Sequence, residues 1–98
     1  MAAHPSREEA EGVAVAALGF IAADEKLLPR FLSLTGIEAS AIRHAARQPG
    51  FLAGVLDFIC AHEPTLLDFA AAAGMKPERV AAARAALPGG DNRYEVSA

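Results

Sequence analysis

The stretch Glu25 to Gly36, EKLLPRFLSLTG, reads as an apolar helix closed by a glycine, and Glu63 to Gly74, EPTLLDFAAAAG, follows the same plan at an offset of 38 residues. Leu28 meets Leu66, Phe31 meets Phe69 and Gly36 meets Gly74 at that offset. Working outward, residues 13–47 lie on residues 51–85 without a gap: Leu18/Leu56, Phe20/Phe58 and Ile21/Ile59 are identical, and Ile42/Val80 keep apolar character. The coincidences fall on bulky apolar positions and helix-ending glycines, where a shared fold leaves its trace. Alanine identities carry no weight in so alanine-rich a chain.

Local signals divide the chain further. Ser6 and Glu9 have the spacing of a capping box, so a first helix starts near Arg7. Ala14, Ala17, Leu18 and Ile21 then share one face. Asp24 is a stop for this helix and a cap for the next. Pro29 is costly inside a helix and tolerated in a first turn, so the regular part of the second helix is expected from about Pro29, after a turn, to Gly36. Glu38 to Arg47 reads as a short third helix. Pro49 is expected to open a fourth, with Leu52, Val55, Leu56 and Ile59 on one face. Pro64 opens a fifth at its first position and Pro77 a sixth, which ends at Pro88-Gly89-Gly90.

The expected fold is therefore all-α: a compact bundle of five to six short helices. It forms a single domain over 6–88, built from two similar helix–helix–turn–helix halves (about 13–50 and 51–88) packed together, with 89–98 as a flexible tail. Either half alone is too small to stand unaided. The expected core is Leu18, Ile21, Leu28, Phe31, Ile37 and Ile42 facing Leu56, Ile59, Leu66, Phe69, Met75 and Val80.

The 98 residues are 53% hydrophobic and 21% charged, which is globular rather than disordered. The scarcity of β-branched and aromatic residues argues against sheet. A net charge of −3 lacks the basic footprint of a nucleic-acid binder. Cys60 is the single cysteine, which points to a reducing compartment, the cytoplasm. The apolar run Gly12 to Ala23 is too short to span a membrane, and Glu8, Glu9 and Glu11 before it are the wrong charge for a secretory signal.

The stretch Glu25 to Gly36, together with Phe51 to Ile59 (FLAGVLDFI), resembles a family of short, uncharacterised bacterial proteins that share a domain of unknown function. The resemblance covers about Glu9 to Leu87. It implies a small helical protein and brings no activity, cofactor or functional residue with it.

The residues themselves point to no catalysis. Cys60 and His62, two apart on a helix, point about 200° apart and cannot share a metal. Glu8, Glu9 and Glu11 favour the start of a helix through its dipole. There is no phosphate-binding glycine loop and no cofactor motif. Two surfaces remain. Val13, Val15 and Phe20 on helix one, with Phe51 and Phe58 on helix four, lie off the principal apolar faces; an uncovered strip there would serve a protein partner or a homodimer. The alternative is a helix-turn-helix. Ala70, Gly74, Met75, Val80 and Ala83 have its small-residue, glycine and apolar spacing. Arg79 and Arg84 on the would-be recognition helix, and Arg43 and Arg47 on helix three, are its candidate nucleic-acid contacts. Two arginines among five alanines are thin for reading bases. The expectation is a non-enzymatic protein-interaction module, with nucleic acid disfavoured and the helix-turn-helix-derived binder as the alternative.

Overall fold

In the computed structural model, which describes residues 5–48 and 50–88, Ser6 and Glu9 make the reciprocal cap their spacing predicts. Glu9 N donates to Ser6 Oγ at 3.0 Å, and Ser6 N donates to Glu9 Oε1 at 2.8 Å. Helix α1 accordingly runs Arg7–Ala22. It is followed by α2 (Leu27–Thr35), a 3₁₀ turn (Ala39–Ala41) leading into α3 (Ile42–Ala45), α4 (Phe51–Cys60), α5 (Glu63–Ala73) and α6 (Pro77–Ala86). The described residues contain no strand, and the fold is an all-α bundle.

Asp24 ends α1 and starts α2. Its Oδ1 accepts from Lys26 N at 2.8 Å and Leu27 N at 3.0 Å, taking up amides that a helix start leaves without partners. Helix α2 therefore begins at Leu27, two residues before the Pro29 start that the sequence suggested. Pro29 occupies the third position, where its missing N–H is still not needed. Pro64 likewise stands second in α5, behind Glu63, while Pro77 is the first residue of α6. Helix α4 opens at Phe51 behind Gly50, which takes a left-handed φ of 85°; the expected opening residue, Pro49, lies outside the described residues, as does the expected tail, 89–98.

Both predicted glycine corners are left-handed, Gly36 at φ 74° and Gly74 at φ 69°. At the second, Met75 N reaches back to Ala70 O at 2.9 Å, which satisfies a terminal carbonyl of α5.

The interior is a triangle of α1, α4 and α6, each packed on the other two, with α5 resting on α4 and α6. Helix α1 buries Ala10, Ala14, Ala17 and Ile21, one seam at spacings of four and three. Helix α6 answers with Val80 and Ala83, and Leu87 just beyond it. Alanines make up 6 of the 14 buried apolar residues, so the helix axes approach closely and the core is thin. The bulk comes from Phe31, Phe69, Ile21, Leu56, Ile59, Val55 and Val80. Each such side chain contributes about 1.5–3 kcal/mol on burial.

Of the expected core, Ile21, Phe31, Leu56, Ile59, Phe69 and Val80 are fully buried, while Leu18, Leu28, Leu66 and Met75 pack against it from partly exposed positions. Ile37 and Ile42 are half-exposed and stand outside that cluster. The expected third helix, Glu38 to Arg47, is corrected to one 3₁₀ turn and one α-helical turn with no buried residue. It has only Ile42 and alanines to offer the interior, against the polar side chains of Glu38, Arg43, His44 and Arg47.

Candidate functional site: a groove between α2 and α4

Helix α2 packs chiefly on α1 and meets α4 through the ring of Phe31. Five of its nine residues are large and apolar, more than one neighbouring helix can cover. The gap towards α4 is bridged by rings. Phe31 lies edge-on to Phe51 at 6.1 Å and to Phe58 at 5.3 Å, an arrangement that aromatic quadrupoles favour. Phe31 is buried, but Phe51 and Phe58 are only half-buried.

On one side of these rings a cleft of about 480 Å³ opens between Leu34 and Ile37 on one wall and Gly50, Phe51 and Gly54 on the other. A smaller recess of about 60 Å³ lies between Arg30, Leu34, Phe58, His62 and Thr65. Leu34 lines both and is 68% exposed, the most exposed large apolar side chain among the described residues. The two recesses share Leu34 as their outer lip and form, on either side of it, the groove between α2 and α4. A Cβ added at Gly54 would meet nothing within 4 Å, so the groove floor there is open.

The five residues singled out from the sequence as a partner surface do not form one strip. Val13 is half-buried against the core, and Phe20 lies edge-on to Phe69 at 5.4 Å. Val15, at 58%, is the one large apolar side chain of α1 that is well exposed, on the outward face of the helix. Phe51 and Phe58 reach solvent through the groove. Leu34 was missed in the sequence. Its signal was there, in the excess of bulky apolar residues on so short a helix.

The four arginines of the nucleic-acid alternative are not brought together as one patch. On α6, Arg84 Nε donates to Asp57 Oδ1 of α4 and is largely covered, and Arg79 lies 3.7 Å from Glu9 of α1. The exposed positions of α6 are Glu78, Arg79, Ala81 and Ala85, which give a groove edge one acid, two methyls and one cation already beside a carboxylate. Arg43 and Arg47 are exposed on and just after α3. Among the described residues no carboxylate pairs with Arg30, Arg43 or Arg47.

Polar chemistry around the groove is structural. His62 Nδ1 and Thr65 Oγ1 share a hydrogen bond of 2.7 Å across the first turn of α5. Thr65 is 6% exposed, and the bond satisfies a hydroxyl that burial would otherwise strand. The recess beside them is too small for a substrate. Burial, with the Asp57 carboxylate adding to it and Arg84 opposing, raises the Cys60 thiol above its ordinary value of 9.0, away from a reactive thiolate. Among the described residues no three His, Cys, Asp or Glu side chains are grouped to hold a metal, and no helix is long and apolar enough to cross a membrane.

Fold and groove together define a small all-α bundle with an open cleft between two of its helices. The chain belongs to a protein family of unknown function, DUF3572, whose model matches residues 7–90. No curated protein and no solved structure matches it.

Proposed function

We propose that the protein is a non-enzymatic interaction module and that the groove between α2 and α4 is where it holds a protein partner. The observation that carries this reading is the outward-facing Leu34 beside the half-buried rings of Phe51 and Phe58. A small domain gains by burying such side chains, and here the surface they leave is concave rather than scattered. A helix laid into a groove of this kind buries one apolar face and leaves its polar face in water.

A photo-crosslinking residue placed at Leu34, with a second at exposed Ala81 on α6 as a control away from the groove, tests the reading in the producing cell. The expected result is a discrete protein adduct from position 34 and none from 81. Equal labelling at the two positions, or no adduct from 34, overturns it.

A further inference from the structure

We infer that the occupant of the groove is an acidic, amphipathic helical segment of another protein, with apolar anchors two helical turns apart. The inference rests on the groove being the binding surface and adds the chemistry of what fills it.

The anchor spacing comes from α4. Phe51 and Phe58 are seven residues apart, which is about 10 Å along the axis at the usual helical rise. One belongs to each recess, and Leu34 stands between the recesses. A helix lying along α4 would place side chains at i and i+7 over the two recesses, since that spacing has the same rise and nearly the same direction. Gly54, between the two phenylalanines, leaves room for the occupant to approach closely.

The charge comes from the rim. Arg30 lines the smaller recess and is exposed with no carboxylate beside it among the described residues. The chain leaves the groove at Ile37 and re-enters it at Gly50, and this excursion carries Arg43, His44 and Arg47 against a single acid, Glu38. The other described arginines are occupied: Arg7 by Glu11, Arg79 by Glu9 and Arg84 by Asp57. In a chain of net charge −3, Arg30 on the groove lining and a basic segment that joins its two walls at Ile37 and Gly50, with no described carboxylate to pair them, are a complement for an acidic partner. Apolar walls with cations at the rim favour a peptide over a nucleic acid, whose backbone wants phosphate contacts along its length.

The test uses the full chain and two fluorescent peptides of about 18 residues with identical leucines at i, i+4, i+7 and i+11. One carries glutamate at the polar positions and the other lysine. Fluorescence anisotropy is expected to show the acidic peptide binding at least about tenfold more tightly, with the preference shrinking at high salt. Arg30→Glu with Arg43→Glu and Arg47→Glu is expected to reverse the preference. Gly54→Leu, which fills open space on a helix, is expected to abolish binding of both peptides while the thermal transition persists. Equal binding of the two peptides, blocked by Gly54→Leu, overturns the acidic assignment and leaves the groove reading standing. Binding indifferent to Gly54→Leu, or none at all, overturns both. Two other outcomes also overturn the assignment. One is self-association of the unliganded chain, seen by sedimentation and lost in Gly54→Leu, which gives the groove to a second copy. The other is tight binding of duplex DNA that the triple arginine variant loses.

Discussion

Two corners of this molecule carry the same sequence marks and behave differently. At α5–Gly74–α6 the chain turns through a left-handed glycine into a helix that enters the core and packs on α1, α4 and α5. At α2–Gly36–α3 it turns through a left-handed glycine just as well, and the segment beyond it stays outside. The glycine sets where the chain reverses. The fate of the next segment depends on how many apolar side chains it can place on one face. Helix α6 supplies Val80, Ala83 and then Leu87, a spacing of three and four that forms a seam. The segment after Gly36 supplies Ile42, and Arg43 and His44 come at once behind it. Because α3 buries nothing, the groove beside α2 stays open, and the segment that joins its walls keeps Arg43, His44 and Arg47 exposed.

The sharpest way to break this comparison is to put a charge at the equivalent apolar position in each corner. Val80 is fully buried, and an unpaired aspartate there costs about 3–5 kcal/mol. That is a large share of the roughly 5–15 kcal/mol that stabilises a domain of this size. Val80→Asp is expected to abolish the cooperative thermal transition followed by circular dichroism. Ile42 is half-exposed and outside the core cluster, so Ile42→Asp is expected to cost less than about 1 kcal/mol. Comparable losses at both positions would mean that α3 is as integral to the bundle as α6.

A smaller effect separates the glycines themselves. Neither has anything within 4 Å of an added Cβ, so Gly36→Ala and Gly74→Ala differ from wild type in backbone strain alone, about 1–2 kcal/mol each. At Gly74 the strain sits between two packed helices and is expected to appear in full in urea unfolding. At Gly36 the exposed segment beyond it can rearrange, and a smaller loss is expected. Equal losses would show that the α3 side is as constrained as the α6 side.

The sequence made much of this legible. The capping box at Ser6, the two glycine corners, the start of α6 at Pro77 and the burial of Phe31 and Phe69 all come from rules that act within a few residues. Less legible was anything that depends on which helix a given face meets. The alanines of α1 looked like propensity and turned out to be the seam on which α6 rests, because closeness of helix axes is a tertiary quantity. The paired phenylalanines Phe20 and Phe58 looked equivalent at an offset of 38 residues. One covers Phe69 and the other covers Phe31, and only the second borders open space. The groove was half visible, through Phe51 and Phe58. Its other wall was hidden in Leu34, since sequence alone does not say which helix each face of α2 meets.

The finest distinction between the two corners lies in how their helices begin. Helix α6 starts at a proline after Lys76, with no side-chain cap, and is held by packing. Helix α2 packs broadly on α1 alone, meets α4 through the Phe31 ring, and depends on the Asp24 carboxylate, which its hydrogen bonds from Leu27 N and Lys26 N hold below the ordinary aspartate value of 3.8. Because the folded value is the lower one, this cap stabilises α2 fully above about pH 4 and is lost as the pH falls through the folded value. Protection of the Lys26 and Leu27 amides against exchange, taken relative to the intrinsic rate at each pH, is therefore expected to fall on acidification before that of Gly74 and Met75. In Asp24→Asn an amide oxygen can still accept both hydrogen bonds but no longer titrates in this range, so the early acid loss is expected to vanish while α2 remains formed. If Asp24→Asn shows the same acid-dependent exchange as the wild type, the weak start of α2 lies in its sparse packing and not in its cap.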